Sequence, residues 1–82
     1  MRRNANLIGR NVARLRYQRE WSQDTTVAKL QVLGCDMTRD MLASIETQRC
    51  VANDTQIFFL AEVFGVAIAD LFPAGRRAQN RK

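Results

Sequence analysis

The stretch from 15 to 46, "LRYQREWSQDTTVAKLQVLGCDMTRDMLASIE", decides the fold, because two helix starts and a helix stop are written into it in residue chemistry. Ser22 is a good N-cap, and Asp24 suits the positive end of the helix that follows. A helix should therefore begin near Gln23, bury Val27 and Leu30, and end at Gly34, the residue that most readily takes a left-handed backbone. Thr38 can cap the next helix, on which Met41, Leu42 and Ile45 are expected to face inward. Met37 stands ahead of that cap at the spacing of a hydrophobic staple. The opposite face carries Arg39, Asp40, Ala43, Ser44 and Thr47.

Working outward, "NLIGRNVARLRYQRE" places Ile8, Val12 and Leu15 at helical spacing with arginines between them, which predicts an amphipathic first helix. Downstream, Asn53 and Gln56 form a candidate capping box for "DTQIFFLAEVF", closed by Gly65 with Val66 placed to pack back onto it. Its stripe of Ile57, Phe58, Leu60, Ala61 and Phe64 reads as core. A last short helical turn, "AIADLF", stops at Pro73, which has no amide to continue it. No strand pattern with hairpin turns occurs. The expected architecture is all-α, a compact five-helix domain over 6–73, with a basic arm at 1–5 and a basic, disordered tail at 74–82.

Composition narrows the classes. At 82 residues there is room for one small core. Two cysteines, Cys35 and Cys50, and no histidine cannot make a four-ligand zinc site, and one bridge is a thin disulfide framework. No metal or other cofactor is expected, and a reduced, cytoplasmic setting is the better reading. A redox switch between the two thiols, which flank the third helix, has neither a histidine nor a CxxC spacing behind it. No apolar run approaches a membrane span and no signal peptide follows Arg2 and Arg3, so no membrane partner is expected. The net charge of +5 belongs mostly to the ends, where Arg2, Arg3, Arg76, Arg77, Arg81 and Lys82 lie; the body is close to neutral. An argument for nucleic acid must come from the body.

That body resembles the helix-turn-helix family of lambdoid phage repressors and Cro, also called the xenobiotic-response-element family. The resemblance runs from about Ile8 to Phe72. It rests on Leu15-Arg16 followed by Ser22-Gln23, on Ile45-Glu46 ending the third helix, and on "LAEVFGVAIADLF". It implies a lambda-repressor-like fold in which the second and third helices form the helix-turn-helix, with the third lying in the major groove. Carried over by position, Arg39, Asp40 and Ser44 take the base-reading places. Thr38, Gln23, Thr47, Gln48 and Arg49 take places near the DNA backbone. Arg16 and Glu46 match a partly buried salt bridge between the first and third helices. The chain departs from the family at Glu20, where glycine often ends the first helix, and at Ala67, where serine or threonine often caps the last.

The chemistry at each position has a functional and a structural side. Arg39 offers a planar fork for guanine, and a first-turn arginine is otherwise mildly misplaced on the helix dipole. Asp40 can accept from cytosine, or simply stabilise the helix start. Ser44 is small enough for close approach to almost any base. Gln23 can hold a phosphate or complete its own helix start. Trp21 reads as packing under the first junction.

The expectation is a sequence-specific double-stranded-DNA-binding transcriptional regulator, a repressor acting as a homodimer on a palindromic operator. The dimer contact is expected around Phe64, Val66 and Ile68. The alternative is an antitoxin-like or adaptor protein that uses the same fold to hold a protein partner such as a toxin. An enzyme is not expected, since there is no histidine, no glycine-rich phosphate loop and no shared carboxylate face.

Overall fold

Each helix starts where a short polar side chain satisfies a free amide. Ser22 accepts from the Thr25 N–H and Thr38 from the Met41 N–H. Asn53 and Gln56 exchange bonds of 2.8 and 2.9 Å in a complete capping box. In the computed structural model, which describes residues 6–73, these caps open α2 (Gln23–Leu33), α3 (Arg39–Glu46) and α4 (Asp54–Phe64), while α1 (Gly9–Gln18) starts with the Gly9 amide bonded to the Asn6 side chain. The described residues contain these four α-helices, a 3-10 helix at Ile68–Leu71 and no strand. The arm at 1–5 and the tail at 74–82 lie outside the described residues.

The helix ends follow one pattern. At Gly34 and Gly65 the backbone turns left-handed, at φ 104° and 70°, and the next amide reaches back to the carbonyl five residues earlier. These are the bonds Cys35 to Leu30 and Val66 to Ala61. α1 and α3 end the same way without glycine. Glu20 sits at φ 59° and Gln48 at φ 65°, with Trp21 bonded back to Arg16 and Arg49 to Ser44. The departure at Glu20 thus leaves the turn intact and places a side chain in a conformation that costs roughly 1 kcal/mol.

The last element differs from the helical turn expected over "AIADLF". Only five residues lie between Ala67 and Pro73, too few for an α-helical ladder, and the chain settles into a four-residue 3-10 helix. Asp70 accepts from the Ala67 N–H at 3.2 Å, so its carboxylate reaches back to the amide at the start of this turn.

The core gathers Val12 from α1, Leu30 from α2, Leu42 and Ile45 from α3, Leu60 from α4 and Leu71 from the 3-10 helix, all fully buried. Met37 and Leu42, the staple pair about the Thr38 cap, are both fully buried. Two inward expectations are corrected. Met41 is exposed, because burying both Leu42 and Ile45 turns it sideways on the short α3. Phe58 is also exposed: α4 is apolar nearly all round, and its neighbours cover only the side of Leu60, Ala61 and Phe64.

Two residues near the start of α1 set how it crosses α3. Asn6 is buried; its Oδ1 accepts from the Ile8 and Gly9 amides, and its Nδ2 donates to the Ile45 and Cys50 carbonyls. Gly9 lies so close to α3 that a Cβ there would collide with the Ile45 carbonyl oxygen. One asparagine therefore caps α1 and binds it to the end of α3.

Candidate nucleic-acid interface

α2 and α3 are joined through Gly34–Thr38, and the start of α2 is tied to the end of α3 by side chains. Glu46 receives the Arg16 guanidinium through two bonds, Nε to Oε2 at 2.7 Å and Nη2 to Oε1 at 2.8 Å. The Gln23 amide adds a third to Oε1 at 3.1 Å. Arg16 Nη1 donates to the Trp21 carbonyl at 2.9 Å, so the same guanidinium also holds the α1–α2 junction. The Glu46 hydrogen bond pushes the Arg16 pKa up, against the opposing effect of burial. Gln23 is thus engaged with Glu46, and the Ser22 hydroxyl takes the Thr25 amide at the helix start.

Outward of this network stand the residues assigned to bases. Arg39 and Asp40 are exposed and Ser44 is half-buried, all on α3. Arg39 Nε lies 3.7 Å from Asp24 Oδ1 on the first turn of α2, a pair in which both side chains are largely exposed. Asp24 had a sequence role only as a dipole acid; its contact with Arg39 depends on how α2 and α3 are set against each other. The exposed charges on α2, α3 and the turns beside them balance, Asp24, Asp36 and Asp40 against Lys29, Arg39 and Arg49.

The residues assigned to the DNA backbone divide. Thr38 is committed to its cap, although the hydroxyl remains exposed. Thr47 donates to the Ala43 carbonyl at 2.8 Å, and Gln48 donates to the Asn6 carbonyl at 3.1 Å while holding the left-handed turn. Gln48 thereby serves the α1–α3 junction. Arg49 is exposed.

No match to a protein-family model, a curated protein or a solved structure is found. The reading of this surface therefore stands on the chain's own residues.

Elsewhere, the contact expected of Phe64 is corrected. Its ring is 3 % exposed and stacks on Trp21, centroids 5.7 Å apart and planes 17° from parallel. Trp21 carries the Lys29 ammonium on its ring at 4.7 Å, which accounts for its half-burial. Phe64 sits inside because it is the last inward residue of α4, where the α1–α2 junction must be covered. Val66 is half-buried and Ile68 exposed, and with Phe58, Ala61 and Glu62 they line an open groove of about 360 Å³. Cys35 is buried and Cys50 exposed, and both are free thiols. Burial pushes the Cys35 thiol up, away from the reactive thiolate. Among the described residues, no three histidine, cysteine or acidic side chains could hold a metal ion, and no helix is long and apolar enough to cross a membrane.

Proposed function

We propose that this chain binds duplex DNA sequence-specifically and regulates transcription as a dimeric repressor, a drifted relative of the lambdoid repressors and Cro. α2 and α3 act as the helix-turn-helix, and α3 enters the major groove with Arg39, Asp40 and Ser44 toward the bases. The observation that carries this reading is the Arg16–Glu46–Gln23 network. It fixes α3 against α2 from the inner side and leaves the polar face of α3 outward, which is what a reading helix requires. Arg39 is the base-reading residue with the most discriminating chemistry, because its planar, exposed fork fits guanine O6 and N7. A single short helix reads few base pairs, so two copies are expected, joined through the groove bordered by Phe58, Val66 and Ile68.

Selection of the purified protein against a randomised duplex pool near physiological salt, in parallel with Arg39→Ala, tests this. Convergence on a palindrome that relaxes at one position per half-site in the variant supports the dimeric regulator. A second reading, an antitoxin-like or adaptor scaffold, draws on the lack of net positive charge around α2 and α3, where Asp24, Asp36 and Asp40 offset Lys29, Arg39 and Arg49. Absence of any enriched sequence would favour it.

A further inference from the structure

We infer that the outer face of α1, built on Arg10, Arg14 and Tyr17, is a duplex-phosphate contact surface that supplies the attraction the α3 face lacks; the inference rests on the reading of the protein as a DNA binder. Three observations carry it. The first is the distribution of charge. From Asn6 to Arg19 the chain holds four arginines and no acid. Arg16 is consumed by Glu46, and Arg19 donates to the Leu15 and Phe64 carbonyls. Arg10 and Arg14 remain exposed, and among the described residues neither forms a salt bridge; Arg14 bonds only the neutral Asn11 side chain at 2.8 Å.

The second is shape. Arg10, Arg14 and Tyr17 are spaced four and three residues apart, one stripe on one helix face. Together with Ala13, Gln18 and Glu46 they border a shallow concavity of about 580 Å³. Glu46 does not cancel the arginines, because both its oxygens are already bonded, to Arg16 and to Gln23. Tyr17 is 68 % exposed, with the Arg16 guanidinium 4.6 Å from its ring centre, and tyrosine is among the side chains that contact phosphate.

The third is place. Glu46, the last residue of α3, borders the concavity, so the stripe lies beside the C-terminal end of the helix proposed to read bases. Contacts of this kind position a protein on the duplex without specifying sequence. Exposed Asp24, Asp36 and Asp40 offset Lys29, Arg39 and Arg49 on the α2–α3 side, and Arg10 and Arg14 supply the net positive charge missing there.

The test measures binding of the full chain to its selected operator and to unrelated duplex over a salt series, comparing wild type with Arg10→Gln/Arg14→Gln and Arg10→Lys/Arg14→Lys. The glutamine variant should bind both duplexes more weakly, with the slope of log K against log salt falling by about two units and base preferences unchanged. The lysine variant should keep the wild-type slope, which separates lost charge from a damaged helix. A wild-type slope in the glutamine variant would overturn the inference while leaving the DNA-binding reading in place. If the wild type selects no sequence yet the slope falls as stated, the surface stands and the operator-binding reading fails. If wild type binds no duplex, both fall.

Discussion

Arg16 on α1 and Glu46 on α3 meet fork to fork, with side chains only 8 % and 6 % exposed, and the same carboxylate receives Gln23 from α2. Three helices therefore converge on one carboxylate. Such a pair gains little net stability over an apolar contact, but removing one member leaves a charge buried without a partner.

Glu46→Ala should accordingly destabilise the fold by about 3 kcal/mol, read as a lower urea midpoint. The double variant Arg16→Met/Glu46→Leu should recover much of that loss. A single substitution that costs nothing would show that the pair is solvated in solution. The raised Arg16 pKa contributes stability that is complete below the ordinary guanidinium range and is lost only as pH rises through the raised value, so the Arg16 contribution should not respond to pH near neutrality.

Glu20 and Gln48 share a left-handed backbone but have different surroundings. Glu20 is exposed, and Glu20→Gly should raise stability by roughly 0.5 to 1 kcal/mol by relieving the strained φ. Gln48→Gly relieves the same strain and loses the bond to the Asn6 carbonyl, so its thermal midpoint should stay near wild type. Equal gains at both sites would mean that the Gln48 bond contributes nothing.

Phe64 and Ile68 are separated by four residues and by opposite roles. Phe64→Ala should cost about 3 to 5 kcal/mol, as expected for a buried ring stacked on a partner. Ile68→Arg should leave the melting temperature nearly unchanged and convert a dimer to a monomer in sedimentation. A monomeric wild type would remove the groove from the proposed function.

Thiol labelling of the native protein should modify Cys50 rapidly and Cys35 only on unfolding. Because the folded-state Cys35 pKa lies above the unfolded one, the associated stability is complete below the ordinary thiol range. It declines as pH rises from that range through the raised value. Urea midpoints at neutral and alkaline pH should therefore diverge less in Cys35→Ala than in wild type.

The helix boundaries were legible because they are local. Ser22, Thr38, Asn53 with Gln56, Gly34 and Gly65 each act on amides or carbonyls within a few residues, and each does so in the structure. The last turn fell short of a regular helix because Pro73 arrives too soon, a length effect that apolar spacing does not express. Met41 and Phe58 stand exposed for a different reason. An apolar residue at helical spacing is buried only if another helix reaches it, and the partner's position is a property of the whole fold. Asn6 and Gly9 gave a weak signal, a cap-type residue three positions before a glycine at the start of an apolar stripe. Their use, holding α1 against the Ile45 carbonyl, depends on a contact 39 residues away in sequence. Within the candidate site, the Arg16–Glu46 pair is legible in the sequence through the family resemblance. The diversion of Gln48 to the Asn6 carbonyl and the approach of Asp24 to Arg39 needed the packed helices.

Trp21 is the chain's single tryptophan, and it lies between the Phe64 ring and the Lys29 ammonium. Any rearrangement that lifts the α1–α2 junction from α4 must change the polarity around that indole. The molecule thus carries an optical gauge of its own, whose emission follows the seating of one junction and stays silent about the outward face of α3.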